Sequence, residues 1–268
     1  MMEEIKKIAK ELLAENKVQL VVGFEKGTAN KVRPAFFTKQ EEIDQLIYNE
    51  FCIQNIALYL KKDVCKKASA LAITANPNVV RSILQLAAEN QISEEKIKII
   101  GISFEGKCVG LLDFKAAEEF SKSQPKGLKP EDKALIEKLQ AMPMEERFDY
   151  WVDAFSGCIK CYACRASCPM CYCTKCNVET NNPQWIPVAS HKYGNLEWHI
   201  MRAMHLAGRC INCGECNRSC PVDIPLNILS YMLSDFIREE FDSEAGIDAV
   251  FTPALSSFTT VDKENFIK

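Results

Sequence analysis

No stretch of this 268-residue chain approaches the ~20 consecutive apolar residues that a membrane-spanning helix requires. Its first residues, Met1-Met2-Glu3-Glu4-Ile5-Lys6-Lys7, contain no apolar core for a secretory leader. A surplus of one charge is missing as well. The formal net charge is -3, which argues against a nucleic-acid or membrane-surface binder, and the acidity is local: Phe236 to Lys268 holds three basic and seven acidic residues. No G-x-G-x-x-G and no complete G-x-x-x-x-G-K-[ST] occurs, so the usual dinucleotide and phosphate cradles are absent. The nearest approach, Gly101 to Cys108, has Cys where the magnesium-binding hydroxyl would stand, and it reads as a strand followed by a turn. Gly23-Phe24-Glu25-Lys26-Gly27-Thr28 reads as a plain turn, and no G-x-S-x-G hydrolase signature is present. Histidine is scarce. His191, His199 and His205 have no metal-like mutual spacing, and the last two read as surface or packing residues of a helix, as Trp185 and Trp198 read as packing groups.

At 47% hydrophobic and 26% charged the chain is otherwise an ordinary globular one, which excludes disordered and low-complexity classes. The departure is cysteine: fourteen residues, of which three lie in 1–157, eleven in 158–220 and none beyond. A chain without leader or membrane span is expected to be cytoplasmic, where disulfides are rare and clustered Cys more often hold metal.

The cysteine-poor part alternates strand and helix. Val18 to Gly23, Ala70 to Thr74 and Lys96 to Gly101 read as strands. Gln40 to Lys62 carries apolar residues at helical spacing, and Asn76-Pro77 opens a helix with Val80, Ile83, Leu84 and Ala87 on one face. This order predicts an α/β domain over 1–115 with a parallel sheet and right-handed crossovers. Residues 116–150 read as a connector with one amphipathic helix around Leu135, Ile136 and Leu139. Residues 151–235 form the cysteine-dense domain, closed by a helix from Leu226 to Glu240. The last 28 residues lack sustained periodicity, and the tail 236–268 is expected to be an extended arm that orders against a partner.

The pattern Cys158-x2-Cys161-x2-Cys164-x3-Cys168-Pro169 recurs as Cys210-x2-Cys213-x2-Cys216-x3-Cys220-Pro221. Three thiolates at x2 intervals wrap a tight loop around one iron–sulfur cubane, while the fourth Cys turns away to ligate the other cluster. By that rule one [4Fe–4S] cluster takes Cys158, Cys161, Cys164 and Cys220, and the other takes Cys210, Cys213, Cys216 and Cys168. Structural zinc needs two pairs of ligands and does not produce a triplet plus Cys-Pro twice. Cys164-x3-Cys168-x2-Cys171 has the spacing of radical S-adenosylmethionine enzymes, but no β/α barrel surrounds it. Forty-one residues separate Cys168 from Cys210, and this insertion holds a helix candidate from Asn195 to Ala207. It also holds Cys171-x-Cys173-x2-Cys176, three candidate ligands of a third iron–sulfur cluster or metal site, with Cys52, Cys65, Cys108 or His191 as the fourth. The other reading of these three is free thiols packed around the two clusters.

The segment from Trp151-Val152-Asp153-Ala154-Phe155 through Pro221-Val222-Asp223-Ile224-Pro225-Leu226 resembles the coenzyme F420 hydrogenase/dehydrogenase beta-subunit family. Cys168-Pro169-Met170-Cys171-Tyr172-Cys173 and Leu206-Ala207-Gly208-Arg209-Cys210 carry the likeness beyond a generic ferredoxin pattern. Gly23 to Pro34 and Phe51 to Asn55 extend it weakly into the first domain. The resemblance implies a two-cluster ferredoxin-type domain with a helical insertion. It implies partner subunits of an oxidoreductase complex: a flavoprotein, hydrogenase, formate dehydrogenase or heterodisulfide-reductase-like protein. F420-reducing members carry a longer C-terminal flavin-binding region, so the likeness does not extend flavin or F420 chemistry to this chain. The expected function is an electron-transfer iron–sulfur subunit of a soluble anaerobic complex. A flavin-dependent reductase with its site in the first domain is the alternative, and a zinc scaffold the third reading.

Overall fold

Aliphatic and β-branched runs build one mixed sheet. In a computed structural model that describes residues 2–125, 128–180, 182–250 and 254, the strands are β1 (Leu20–Lys26), β2 (Val32–Phe37), β3 (Leu46–Ile47), β4 (Leu71–Ala75), β5 (Ile97–Ile102) and β6 (Cys108–Leu112). They run in the order β2-β1-β4-β5-β6, with β3 on β1. The three expected strands form the parallel centre, β1 on β4 and β4 on β5. The sheet is not purely parallel, however, because β2, β3 and β6 pair antiparallel with their neighbours. Every residue of β4 is buried, as in a strand covered on both faces. Helix α1 (Met2–Ala14) places Ile5, Ala9 and Leu12 in one apolar cluster with Val21, Ala72 and Ile100.

The helix expected over Gln40 to Lys62 does not form. Two 3₁₀ turns, Gln40–Gln45 and Ile56–Lys61, flank β3 instead. The Glu42 carboxylate accepts from the Thr38 and Lys39 amides at 2.9 and 3.2 Å and fixes the first turn, and Asn55 caps the second through the Ala57 amide. The glycine stretch from Gly23 is a turn only at its end, from Gly27 on, because Gly23 to Lys26 belong to β1. Gly23 lies inside β1, and a Cβ there would come within 2.4 Å of Leu46 Cδ1, so its bareness admits β3 rather than a phosphate. The turn between Gly101 and Cys108 does form, joining β5 to β6.

After the short α2 (Asp63–Lys66), α3 (Pro77–Ala88) begins as its sequence dictates. Asn76 caps it through the Val79 amide at 3.0 Å, and Pro77 occupies the first turn. The single-helix connector is three helices, α4 (Phe114–Ser123), α5 (Pro130–Ala141) and α6 (Met144–Ser156). They are followed by α7 (Ala163–Ala166), α8 (Lys192–Leu206), α9 (Glu215–Arg218) and α10 (Leu226–Phe241). Among the described residues no helix is long and apolar enough to cross a membrane.

The chain divides into two units. The first is Met1–Pro125 with the segment returning from Ala245, and the second is built on Lys126–Glu244. The arm expected from residue 236 therefore begins as the end of α10, and its next stretch belongs to the first unit. There Gly246 N–H donates to Gln85 Oε1 at 3.0 Å, Ser121 Oγ donates to the Gly246 carbonyl at 2.9 Å, and Ala249 N–H donates to Glu118 Oε1 at 2.8 Å. Apart from residue 254, the arm from 251 onward lies outside the described residues.

Candidate metal centre

The two cysteine repeats fold alike. In the first, Lys160 and Tyr162 adopt left-handed φ of 52° and 58° before α7 begins; in the second, Asn212 and Gly214 adopt 57° and 73° before α9. These are equivalent positions, two and four residues after the first Cys of each repeat. A left-handed non-glycine residue costs roughly 1–2 kcal/mol, so its use at Lys160, Tyr162 and Asn212 marks backbone held to a purpose. Alternating the backbone hand turns successive N–H groups toward one concavity, which favours an anion. Lys160 N–H reaches Cys158 Sγ at 3.3 Å, and Ile224 N–H reaches Cys220 Sγ at 3.4 Å. Between α7 and α9 the residues just before the two Cys-Pro pairs meet, Ser167 Oγ lying 2.9 Å from Ser219 Oγ.

This pairing exchanges the last cysteine of each repeat. Cys158, Cys161 and Cys164 line a small cavity together with Cys220 from the other repeat. Trp198, His199, Ile224 and Leu226 supply part of its wall. The remaining four cysteines form a second neighbourhood, in which Cys168 acts electrostatically on each of Cys210, Cys213 and Cys216. Cys164 and Cys216 sense each other across the two sets.

Burial pushes the thiols of Cys158, Cys213 and Cys216 upward, and those of Cys164 and Cys210 up to about 12. Cys168 moves the other way, down to about 6, because the Cys171 thiol donates to it and Arg202 stands near. As free groups most of these sulfurs are therefore neutral thiols. Holding them as thiolates takes a cationic metal in the same space, whose binding releases their protons. Eight soft sulfur donors in two sets of four fit iron–sulfur clusters. Among the described residues no group of three or more His, Cys, Asp or Glu converges on a single metal ion. A tetrahedral zinc site would need four such ligands at about 2.0–2.3 Å from one centre.

The other cysteines are distributed differently. Cys171 lies against Cys168; Cys173 is exposed, its carbonyl accepting from Arg165 at 3.1 Å; Cys176 is half-buried, its carbonyl accepting from Thr180 at 2.8 Å. His191 caps α8, its Nδ1 accepting from Gly194 N–H at 3.3 Å. Cys52, Cys65 and Cys108 belong to the first unit, the first two buried in it.

Four residues of α8 enter the site unannounced by any motif. Asn195 is wholly buried and its Nδ2 donates to the Cys158 carbonyl at 2.8 Å and the Phe155 carbonyl at 3.2 Å, clamping the entry to the first repeat. Trp198 and His199, read from sequence as packing or surface residues, line the cavity. Burial carries the His199 imidazole down to about 3, so it is neutral. Arg202 donates from Nη2 to the Cys164 carbonyl at 2.9 Å. Their spacing of three, four and seven from Asn195 is one helix face, the only sequence signal that could have grouped them.

No protein-family model matches the chain. It is 33% identical over 123 residues to the F420-dependent formate dehydrogenase subunit beta of Methanocaldococcus jannaschii, covering 44% of this chain and 32% of that protein. It is 29% identical over 115 residues to the F420-dependent formate dehydrogenase 1 subunit beta of Methanococcus maripaludis, covering 42% and 29%. The chain thus spans about a third of the length of these relatives.

Proposed function

We propose that the chain is an electron-transfer iron–sulfur subunit of an oxidoreductase complex, of the kind that formate dehydrogenase beta subunits represent. In this reading Cys158, Cys161, Cys164 and Cys220 hold one [4Fe–4S] cluster, and Cys168, Cys210, Cys213 and Cys216 hold the other. The clusters supply one-electron storage. The protein would shield most of the sulfurs in part from water and aim backbone N–H groups at them, Lys160 N–H at Cys158 and Ile224 N–H at Cys220.

The observation that supports this reading most is the cavity shared by Cys158, Cys161 and Cys164 with Cys220. A metal site confined to one repeat has no use for a cysteine from the other. The likeness to the two beta subunits is consistent with a place beside partner subunits in a formate-oxidising or related complex. Cys171, Cys173 and Cys176 remain candidate ligands of a third site.

Anaerobic purification with iron and sulfide counts and EPR tests the proposal. About eight iron atoms per chain are expected for two clusters, and about twelve for three. A chain holding only zinc would overturn it.

A further inference from the structure

One face of α8 presents buried nitrogens without a hydrogen-bond partner: Trp198 Nε1 and Arg202 Nε are donors, and His199 Nε2 is a donor in one of its two neutral tautomers. Trp198, His199 and Arg202 are 3%, 3% and 7% exposed, and Trp198 Nε1, His199 Nε2 and Arg202 Nε each lack a hydrogen-bond partner. A donor left buried and unbonded costs about 1–3 kcal/mol, more when charged. Two such donors, with an unpaired imidazole nitrogen between them, within two turns of one helix therefore call for partners that are not protein atoms.

The surroundings say what those partners are. Trp198 and His199 line the cavity ringed by Cys158, Cys161, Cys164 and Cys220. Their rings cannot swing freely: His199 stacks on Phe155 at 4.5 Å between centroids and 19° between planes, and meets Trp198 edge-on at 4.9 Å. Arg202 is anchored through Nη2 on the Cys164 carbonyl. Burial opposes its charge, and the groups that offset this are the sulfurs of Cys171, Cys168, Cys164 and Cys216. Cys164 belongs to one ligand set and Cys168 and Cys216 to the other, so one guanidinium lies near sulfurs of both.

We propose that α8 sets the reduction potentials of the cluster pair, with Arg202 as a counter-ion common to both and Trp198 and His199 as N–H donors to sulfur at the first. One-electron reduction adds one negative charge to a cluster. A fixed cation and preset N–H donors stabilise the reduced form more than the oxidised form, so they raise the potential. The inference rests on the two-cluster reading, and names these three side chains as positioning and tuning residues that are not ligands.

The test is a dithionite titration with redox mediators, followed by EPR, on the whole chain purified anaerobically, with iron and sulfide counted first. Cys220→Ser and Cys168→Ser assign the signals to the first and second clusters. In Arg202→Gln both midpoints are expected to fall by at least the equivalent of a tenfold change in the reduced-to-oxidised ratio, about 59 mV for a one-electron couple. Arg202→Lys retains most of the wild-type value. Trp198→Phe removes the N–H together with part of the ring and lowers the first midpoint by a few-fold in the same ratio, leaving the second in place. Wild-type iron counts with unmoved midpoints in Arg202→Gln would overturn the proposal while leaving the two-cluster reading intact. If Arg202→Gln loses its iron, an unmoved first midpoint in Trp198→Phe overturns it. Wild-type protein without iron–sulfur signals would overturn the reading beneath it and this proposal together.

Discussion

The two units of this molecule differ in how completely protein atoms satisfy their interiors. In the first, buried polar groups find protein partners: Asn55 Nδ2 donates to Ser82 Oγ at 2.8 Å, and Arg81 donates to the Ser121 and Gln124 carbonyls at 3.3 and 3.0 Å. In the second lie all the buried side-chain nitrogens and oxygens, among the described residues, that have no partner, including those of Trp198, His199 and Arg202. The cysteines divide the same way. Cys65 is wholly buried in the first unit and burial pushes its thiol up to about 11, which is the behaviour of a small inert hydrophobe. Cys158 and Cys164 border a cavity. Protein atoms thus pair the buried polar groups of the first unit, whereas in the second some of them are left without a protein partner.

That contrast breaks hardest at the ligands. Cys220→Ser is expected to abolish the EPR signal of the cluster held by Cys158, Cys161 and Cys164 and to halve the iron content. Loss of the other signal alone would reverse the assignment of the exchanged cysteines. Next in size is removal of the metal. Stripping iron anaerobically with a chelator should lower the thermal transition of the second unit by about 10 °C or more, the scale of a few kcal/mol in a unit of this size. The calorimetric transition of the first unit should stay where it was, and parallel loss of both would erase the distinction. A smaller effect of the opposite location is expected from Gly23→Ala. Its Cβ would strike Leu46 Cδ1, costing about 1–3 kcal/mol in the first unit by overpacking, with iron content unchanged. Smallest of all, Cys65→Ala should cost about 1 kcal/mol, near the value of a small buried group, and leave iron counts and EPR spectra untouched. A lost signal in that variant would make Cys65 a ligand and blur the boundary between the two kinds of cysteine.

Much of the first unit was legible because its signals are local. β1, β4 and β5 are short runs dominated by aliphatic residues, and α3 announces itself through Asn76, Pro77 and a 3.6-residue stripe. β2 escaped notice because Pro34 interrupts it, as an edge strand permits. β6 escaped because its alternation is hidden: Val109 and Leu111 are 45% and 50% exposed, so apolar residues occupy its outer face too. Gln40 to Lys62 misled because residues spaced for a helix, Ile43, Leu46, Ile56 and Leu60, are indeed buried, but from two turns and a strand. Spacing alone records which residues go inside; the Glu42 and Asn55 caps decided the backbone that takes them there.

By itself the sequence determined the candidate donor set. The x2, x2, x3 spacing is a property of short backbone loops, and it holds wherever the loop is placed, so both repeats could be read without knowing the fold. What surrounds the sulfurs was decided only in three dimensions. Arg202 meets the Cys164 carbonyl across thirty-eight residues, and Trp198 and His199 reach the cavity only because α8 packs beside Phe155 and the first cysteine turn. Ligand chemistry is carried by near neighbours in the chain, whereas burial, charge and unpaired donors arise from neighbours in space.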